Sequence, residues 1–408
     1  MPLKAHVAPG RLPGWATPLL DRRNLVSAGV VTLAGLSALV FVHAPFRIGI
    51  LSDLSTPEMV DDSRGTLLAA TMALEDFGER VLGRPVQVLA GDTQGDPAVA
   101  VDVATSWLDH NQAAVLLDSG PSSVGRALAA LAVRRGEIVL GVGDPAASPC
   151  VPTIFQFSPS PSALATAGLR PALDAGVNRW FCITAGGDRG AALQSLAAQT
   201  IGGRGGTVVG AIDRRFGAAD QALAEQVRRS GATGLLFASA GADFVDGFRQ
   251  ARDLGITEGR ALVGLQVDLA DVAALGPIAA GLQFATVFHP AMTDNALSWS
   301  RRFVSRHRDR PPGWRQALAY SATLHYLRAV KAVGVAQSDR IAPWMQAQPV
   351  RSVLVRNAPI RSDGRVMIDI EIVQVRSGAG SDLLDAVERI GTWPAEDAYA
   401  ASACPARS

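Results

Sequence analysis

Cysteine is nearly absent from this chain: three residues in 408. That excludes a scaffold stapled by many disulfides, and without a Cys-x-x-Cys pair there is neither a zinc-ribbon nor a thiol-redox signature. A single disulfide stays open. An excess of charge is missing as well. The 38 basic and 37 acidic residues leave a formal net charge of +1. No basic face is available to neutralise phosphates, so nucleic acid is excluded as a partner. Catalytic signatures are also lacking. No Gly-x-x-x-x-Gly-Lys-Ser/Thr run is present for nucleotide hydrolysis. Gly120-Pro121-Ser122-Ser123-Val124-Gly125 is one residue too long for a Gly-x-Ser-x-Gly nucleophile turn, and none of the six histidines stands in a recognisable partner position. Gly186-Gly187-Asp188-Arg189-Gly190 lacks the spacing of a dinucleotide loop, with Asp213 the only acid nearby. The spacing of His, Cys, Asp and Glu fits no metal site. The chain therefore reads as a protein that is not an enzyme and holds neither cofactor nor metal.

What is present is length and apolar content. A chain of 408 residues, 48% of them hydrophobic and 18% charged, is enough for two well-packed domains. Residues 1–44 differ from the rest. Arg22 and Arg23 precede an apolar run over 25–42, and Val42-His43-Ala44 offers small residues where a signal peptidase reads. Basic flank, apolar stretch and small-residue site are the order of a secretory signal. The run approaches the length of a membrane span, so an uncleaved anchor facing the periplasm is the alternative. The twin arginine loosely resembles a Tat signal, with poorly fitting flanks. Either way the bulk of the chain is expected outside the cytoplasm, in the periplasm.

From Phe46 onward, short apolar runs alternate with amphipathic segments. Strands are expected over 46–51, 86–90, 114–117 and 138–142, with helices over 66–77, 98–108 and 122–134. The rhythm restarts with strands over 180–184, 207–212, 234–238 and 261–265 and helices over 190–199, 219–229 and 244–254. A strand over 281–288, helices around 298–307 and 316–333, a turn over 361–365 between two late strands and a C-terminal tail complete the chain. Strands alternating with helices of this length imply α/β domains with doubly wound parallel sheets, here two on one plan.

Several blocks, in order, resemble one family: type I periplasmic solute-binding proteins of ABC importers, of the leucine/isoleucine/valine-binding kind. They are Ala73-Leu74-Glu75-Asp76-Phe77-Gly78, Leu82-Gly83-Arg84-Pro85-Val86, Leu117-Asp118-Ser119-Gly120-Pro121-Ser122-Ser123, Trp180-Phe181-Cys182-Ile183-Thr184-Ala185, Tyr320-Ser321-Ala322-Thr323-Leu324-His325-Tyr326 and Ser362-Asp363-Gly364-Arg365. The resemblance covers nearly all of the chain after residue 45. It implies two lobes joined by three crossovers, 46–159 with 285–340 and 160–284 with 341–408, closing on a small solute by a hinge motion and docking on a membrane permease. It also implies that Cys150 pairs with Cys404, since the family places cysteines in similar loop and tail positions. Cys182, inside an apolar strand, is expected to be a buried free thiol.

Open α/β sheets bind ligands at the carboxyl ends of their strands. Here those loops are residues 119–123, 143–148, 185–190, 239–243 and 266–268. Ser122, with Ser123 beside it, stands at a helix start, where unpaired amides and the helix dipole favour a carboxylate. The alternative is that Ser119, Ser122 or Ser123 caps that helix. Gly143-Asp144-Pro145-Ala146-Ala147 occupies the position where the family presents amides and a hydroxyl, but Pro145 removes a donor and no Thr stands there. In the second lobe the family's aromatic clamp is missing, and Arg189 stands in that loop as an anion partner or a solvated charge. Gly241 and Gln266 complete the expected cavity, and Phe288 and His289 lie on the hinge side. The changes argue against a plain branched-chain amino acid and toward a carboxylate or a more polar solute. The expectation is a substrate-binding component of an ABC importer for an amino acid or small carboxylate; the alternative is an envelope sensor of the same fold.

Overall fold

The computed structural model describes residues 44–145, 150–184, 187–213, 221–378, 382–400 and 404. The expected export signal lies outside the described residues except for Ala44, as do Ala146 and Ala147 of the second ligand loop.

The chain first lays down β1 (Phe46–Ser52), α1 (Pro57–Phe77), β2 (Arg80–Val81), β3 (Arg84–Asp92), α2 (Pro97–Asp109), β4 (Ala113–Asp118), α3 (Ser122–Arg135), β5 (Val139–Gly141) and β6 (Ile154–Gln156). It then crosses to α4 (Pro161–Asp174), β7 (Arg179–Thr184), α5 (Gly187–Gly202), β8 (Thr207–Asp213), α6 (Gln221–Ser230), β9 (Gly234–Phe237), α7 (Gly241–Asp253), β10 (Ala261–Gly264), α8 (Leu269–Leu275) and β11 (Leu282–Thr286). A return to the first lobe brings α9 (Asp294–Val304), α10 (Trp314–Val333) and α11 (Ser338–Ala347). A last crossing gives β12 (Ile370–Val375), β13 (Val387–Trp393) and α12 (Ala395–Ala398).

Two sheets result, with strand orders β2-β3-β1-β4-β5-β6 and β13-β12-β11-β10-β9-β7-β8. The interior neighbours are parallel, as the βα alternation requires, while β2 against β3 and β11-β12-β13 are antiparallel. The expected C-terminal tail thus contains an edge strand, and the late strands around the 361–365 turn are single bridges, Ile360 to Val366 and Gln156 to Arg365, before β12 begins. Both faces of each sheet are covered. Val115 and Leu117 enter one core and Leu116 the opposite one; Phe181 and Ile183 face one way and Trp180 and Cys182 the other. A strand buried on both faces has to be apolar throughout, so the strands read as unbroken hydrophobic runs.

Helix starts follow local chemistry. Thr56, Asp96 and Ser160 cap α1, α2 and α4 with side-chain oxygens, each followed by Pro at the first helical position. The acids of the Ala73–Gly78 block clamp the first lobe together. Glu75 takes a bidentate pair from Arg306 at 2.6 and 2.8 Å, and Asp76 takes one from Arg302 at 2.8 and 3.2 Å. Tyr320 of α10 donates to Asp76 at 2.8 Å. Burial pushes the Asp76 carboxyl up, but Arg302 and Tyr320 outweigh it and hold it below the usual range. These residues fasten α9 and α10, returning from more than 200 positions downstream, onto α1.

Three crossovers join the lobes: between β6 and α4, between β11 and α9, and between α11 and β12. The third is pinned to the first lobe by the Ser362-Asp363-Gly364-Arg365 turn. Gln156 N–H donates to Gly364 O and Val366 N–H to Gln156 O, both at 2.9 Å, while Arg365 donates to Ser158 O at 3.1 Å. The second is tied to the third by His289, whose Nε2 lies 3.0 Å from Glu371 Oε2 in β12. α11 packs on α10 through Ile341, Ala342 and Met345, so the division expected at residue 340 passes through that helix.

Cys150 and Cys404 are disulfide-bonded with Cα atoms 5.5 Å apart, tying the C-terminus to the connection before β6 across 254 positions. Closing so long a loop restricts the unfolded chain and stabilises by about 2–4 kcal/mol. The Cys150→Ala/Cys404→Ala variant is expected to lose that much in urea titration. Equal midpoints for variant and wild type would count against it. Cys182 is buried, and desolvation pushes its thiol up to about 12, so it stays protonated.

Candidate functional site

The carboxyl ends of β1, β4 and β5 in one lobe and of β7, β9 and β10 in the other carry the loops at which this fold holds ligands. In the first lobe Ser52 ends β1 and its Oγ meets Ser119 Oγ at 2.8 Å, while Ser119 N–H donates to Leu51 O at 3.0 Å. Ser119 is thereby spent on holding the β4 loop to β1. The N-cap of α3 is Pro121, and among the described residues no side chain caps that helix. Ser122 and Ser123 are its first two residues, half-buried, so the capping alternative fails and the first-turn amides stay open to an acceptor. Arg126 donates to Ser122 Oγ at 3.3 Å, adding positive charge to that turn.

Gly143 and Asp144 do not present amides in the way the family resemblance implies. Gly143 N–H donates to Asp118 O and Asp144 N–H to Gly120 O, both at 3.0 Å, so these groups knit the β5 loop to the β4 loop. The two loops pack so closely that a Cβ on Gly143 would stand 2.2 Å from Gly120 O. Asp144 Oδ1 accepts from Arg315 Nη2 at 3.0 Å. Beneath both loops lies Asp118, 3% exposed, whose Oδ1 accepts from Gly120 N–H at 2.9 Å. Burial, helped by the nearby Asp144 charge and opposed by the Gly120 amide, pushes its carboxyl up to about 7.

In the second lobe, Arg189 lies in the first turn of α5, with Thr184 at the end of β7 packed under Gly190. Gly241 opens α7 on the exposed side, at φ 57° and with open space where a Cβ would stand. The residue before it, Ala240, has no capping side chain, and Ser239 Oγ is buried with no hydrogen-bond partner among the described residues. Gln266 is half-buried in the loop after β10. Two residues on, Asp268 caps α8, accepting from Ala270 and Asp271 N–H at 2.8 and 3.2 Å, and Asp271 returns the bond to Asp268 N–H at 3.0 Å. His289 is 3% exposed and committed through Nε2 to Glu371, which places it in the hinge packing rather than at an open wall.

Sequence reasoning missed Arg315. It sits in the first turn of α10, its guanidinium 4.5 Å from the Trp314 ring centroid. Burial lowers its pKa, but Asp62, Asp144 and Asp268 more than reverse this and raise it. A lone Arg in a helix's first turn opposes the helix dipole. That was the signal available in the sequence.

Two doubly wound lobes, three crossovers and loops converging at the strand ends define a two-lobed, hinged binding protein. The chain belongs to the periplasmic binding protein family, whose model matches residues 45–380. The structure is that of the type I members, which serve ABC transporters as solute-binding proteins, not enzymes. A periplasmic binding protein from Burkholderia mallei is 26% identical, with a TM-score of 0.76, covering 88% of this chain and 96% of its own. A branched-chain amino acid ABC transporter periplasmic ligand-binding protein from Burkholderia xenovorans is 24% identical, with a TM-score of 0.78 and coverages of 86% and 96%. A solute-binding protein of an ABC transporter from Rhodopseudomonas palustris, in complex with 3,4-dihydroxybenzoic acid, is 15% identical, with a TM-score of 0.74 and coverages of 86% and 98%. Comparison with curated proteins gives no match. No helix among the described residues is long and apolar enough to cross a membrane.

Proposed function

We propose that this chain captures a small carboxylate-bearing solute, an amino acid or an aromatic acid, in the periplasm and delivers it to an ABC permease. The observation that carries the reading is the uncapped start of α3. Pro121 cannot cap it, Ser122 and Ser123 place hydroxyls beside its amides, and Arg126 adds charge. Such a terminus stabilises a carboxylate through amide donors and the helix dipole. The ligands of the structural neighbours, an amino acid for one and 3,4-dihydroxybenzoic acid for another, share that carboxylate. In this reading Ser122 and Ser123 hold the anionic end, while Gln266, Arg189, Gly241 and the buried Ser239 hydroxyl approach from the second lobe. The two jaws follow the expected division, 46–159 with 285–340 and 160–284 with 341–408, except that β11 stays whole with the second lobe and α11 whole with the first.

The test is a thermal-shift screen of amino acids, aromatic acids and aliphatic carboxylates against the chain lacking residues 1–44. A ligand at a hundred times its Kd stabilises by about 2.7 kcal/mol, so a true solute raises the melting temperature with concentration. The Ser122→Ala/Ser123→Ala variant is expected to bind that solute about tenfold more weakly, the effect of losing one to two hydrogen bonds to a charged group. A flat screen across all three classes, or binding untouched by the double substitution, would sink this reading.

A further inference from the structure

Besides the three crossovers, the C-terminal segment makes a fourth connection between the lobes. It leaves the second sheet at Trp393, the last residue of β13, and runs back along the third crossover toward the first lobe. Ala395 N–H donates to Asp369 Oδ1 at 2.9 Å, at the foot of β12. Tyr399, 5% exposed, lies under the Arg365 guanidinium, 5.3 Å from its ring centroid. Ala400 O accepts from Arg361 Nη1 at 2.7 Å, and Arg361 Nη2 is held by Asp363 Oδ2 at 2.6 Å. The tail thus meets the crossover at 369, 365 and 361 in turn, working back from β12 toward the first lobe. The last link is covalent. Cys404 is bonded to Cys150, just before β6 of the first sheet.

We infer that this disulfide-closed tail is a strap that limits how far the lobes of the ligand-free protein swing apart. Hinge motions take microseconds to milliseconds, whereas uncatalysed disulfide rearrangement takes minutes to hours, so the link stays closed through every opening. The hydrogen bonds and the ring contact along the crossover can break and re-form within one opening; the disulfide cannot. The strap is also tighter than its length in residues. Ala395 and Ala398 are buried in α12, which packs on α4 of the second lobe, and Tyr399 is buried beside them. Drawing Cys404 away from the second lobe strips these apolar groups from their seats, and exposing apolar surface opposes the motion. With the disulfide cut, the tail travels with the second lobe and that resistance disappears.

The inference requires hinge motion but no particular solute, so the test uses the ligand-free protein, and a failed solute screen leaves it untouched. Spin labels carried on keto amino acids in place of Arg134 on α3 and Asp246 on α7, both exposed, spare the cysteines and report lobe separation by pulsed electron paramagnetic resonance. Cys150→Ala/Cys404→Ala is expected to shift the open-to-closed ratio toward open by about fivefold, the low end of typical coupling between sites. A second variant keeps the disulfide and slackens the strap. Inserting Gly-Ser-Gly-Ser-Gly-Ser after Ala400 adds up to about 20 Å of flexible chain and should open the lobes to the same extent. An unchanged distance distribution in the double cysteine variant overturns the strap. So does a shift there that the insertion fails to reproduce, because the disulfide would then act only on the connection before β6. If the double cysteine variant does not fold, the insertion decides alone: a wild-type distribution overturns the inference.

Discussion

Gly364→Ala is expected to destabilise the protein by about 4 kcal/mol, at the upper end of single-substitution effects. Two causes add. Gly364 has φ 84°, a left-handed conformation that L side chains rarely adopt, and a Cβ there would stand 1.9 Å from Ile154 O. The obstructing atom is backbone inside β6, so no rotamer change relieves the overlap. Either the turn or the strand has to move, breaking the Gln156 to Gly364 and Val366 to Gln156 bonds that pin the third crossover to the first lobe. Ser362→Ala, two residues away, is the control, expected to stay within about 0.5 kcal/mol. Urea titration compares the two, and a Gly364→Ala midpoint equal to the control's would refute the account.

Asp118→Asn is expected to leave stability unchanged near pH 4 and to raise it increasingly as pH climbs to about 7. Asp118 has an ordinary value of 3.8 that burial raises to about 7 in the folded protein. The native state therefore favours the neutral acid. The stability this gives is complete below pH 3.8 and drains away as pH rises to about 7. At about 1.4 kcal/mol per pH unit over that window the loss approaches 4 kcal/mol. Asn keeps the shape and the acceptor for Gly120 N–H but has no charge to desolvate. Near pH 4 the two proteins should be about equally stable, and above pH 7 the variant should be the more stable by up to about 4 kcal/mol. Parallel stability curves from pH 4 to 8 would remove Asp118 from the account. Because Asp118 sits directly under the β4 and β5 loops, a wild-type protein strained at neutral pH carries that strain at the proposed binding face.

Much of the fold was legible because parallel strands buried on both faces are apolar runs, and the capped helices between them keep a 3.6-residue period. Where that physics lapses, so does the reading. β13 is an edge strand with most residues exposed, and it looks like a tail. α4 and α11 contain Pro171 and Pro343, which argue against helix to any local rule, yet packing carries both helices through. At the candidate site several residues that the sequence singled out make contacts that local patterns do not announce. Gly143 is there because two loops touch, not to offer an amide. His289 serves the hinge, and Ser119 ties β4 to β1.

The sequence by itself determined the two α/β lobes and the placing of a serine-bearing helix start at Ser122, because each rests on local chemistry: apolar periodicity, turn residues, or a helix terminus; the family entered as a resemblance of ordered blocks. Only the tertiary structure decided which charges meet. Asp62, Asp144 and Asp268 are more than 200 positions apart end to end, and nothing in their neighbours marks them as partners. Folding brings them around Arg315, where burial strengthens every charge interaction and makes an arginine at the start of a helix tolerable.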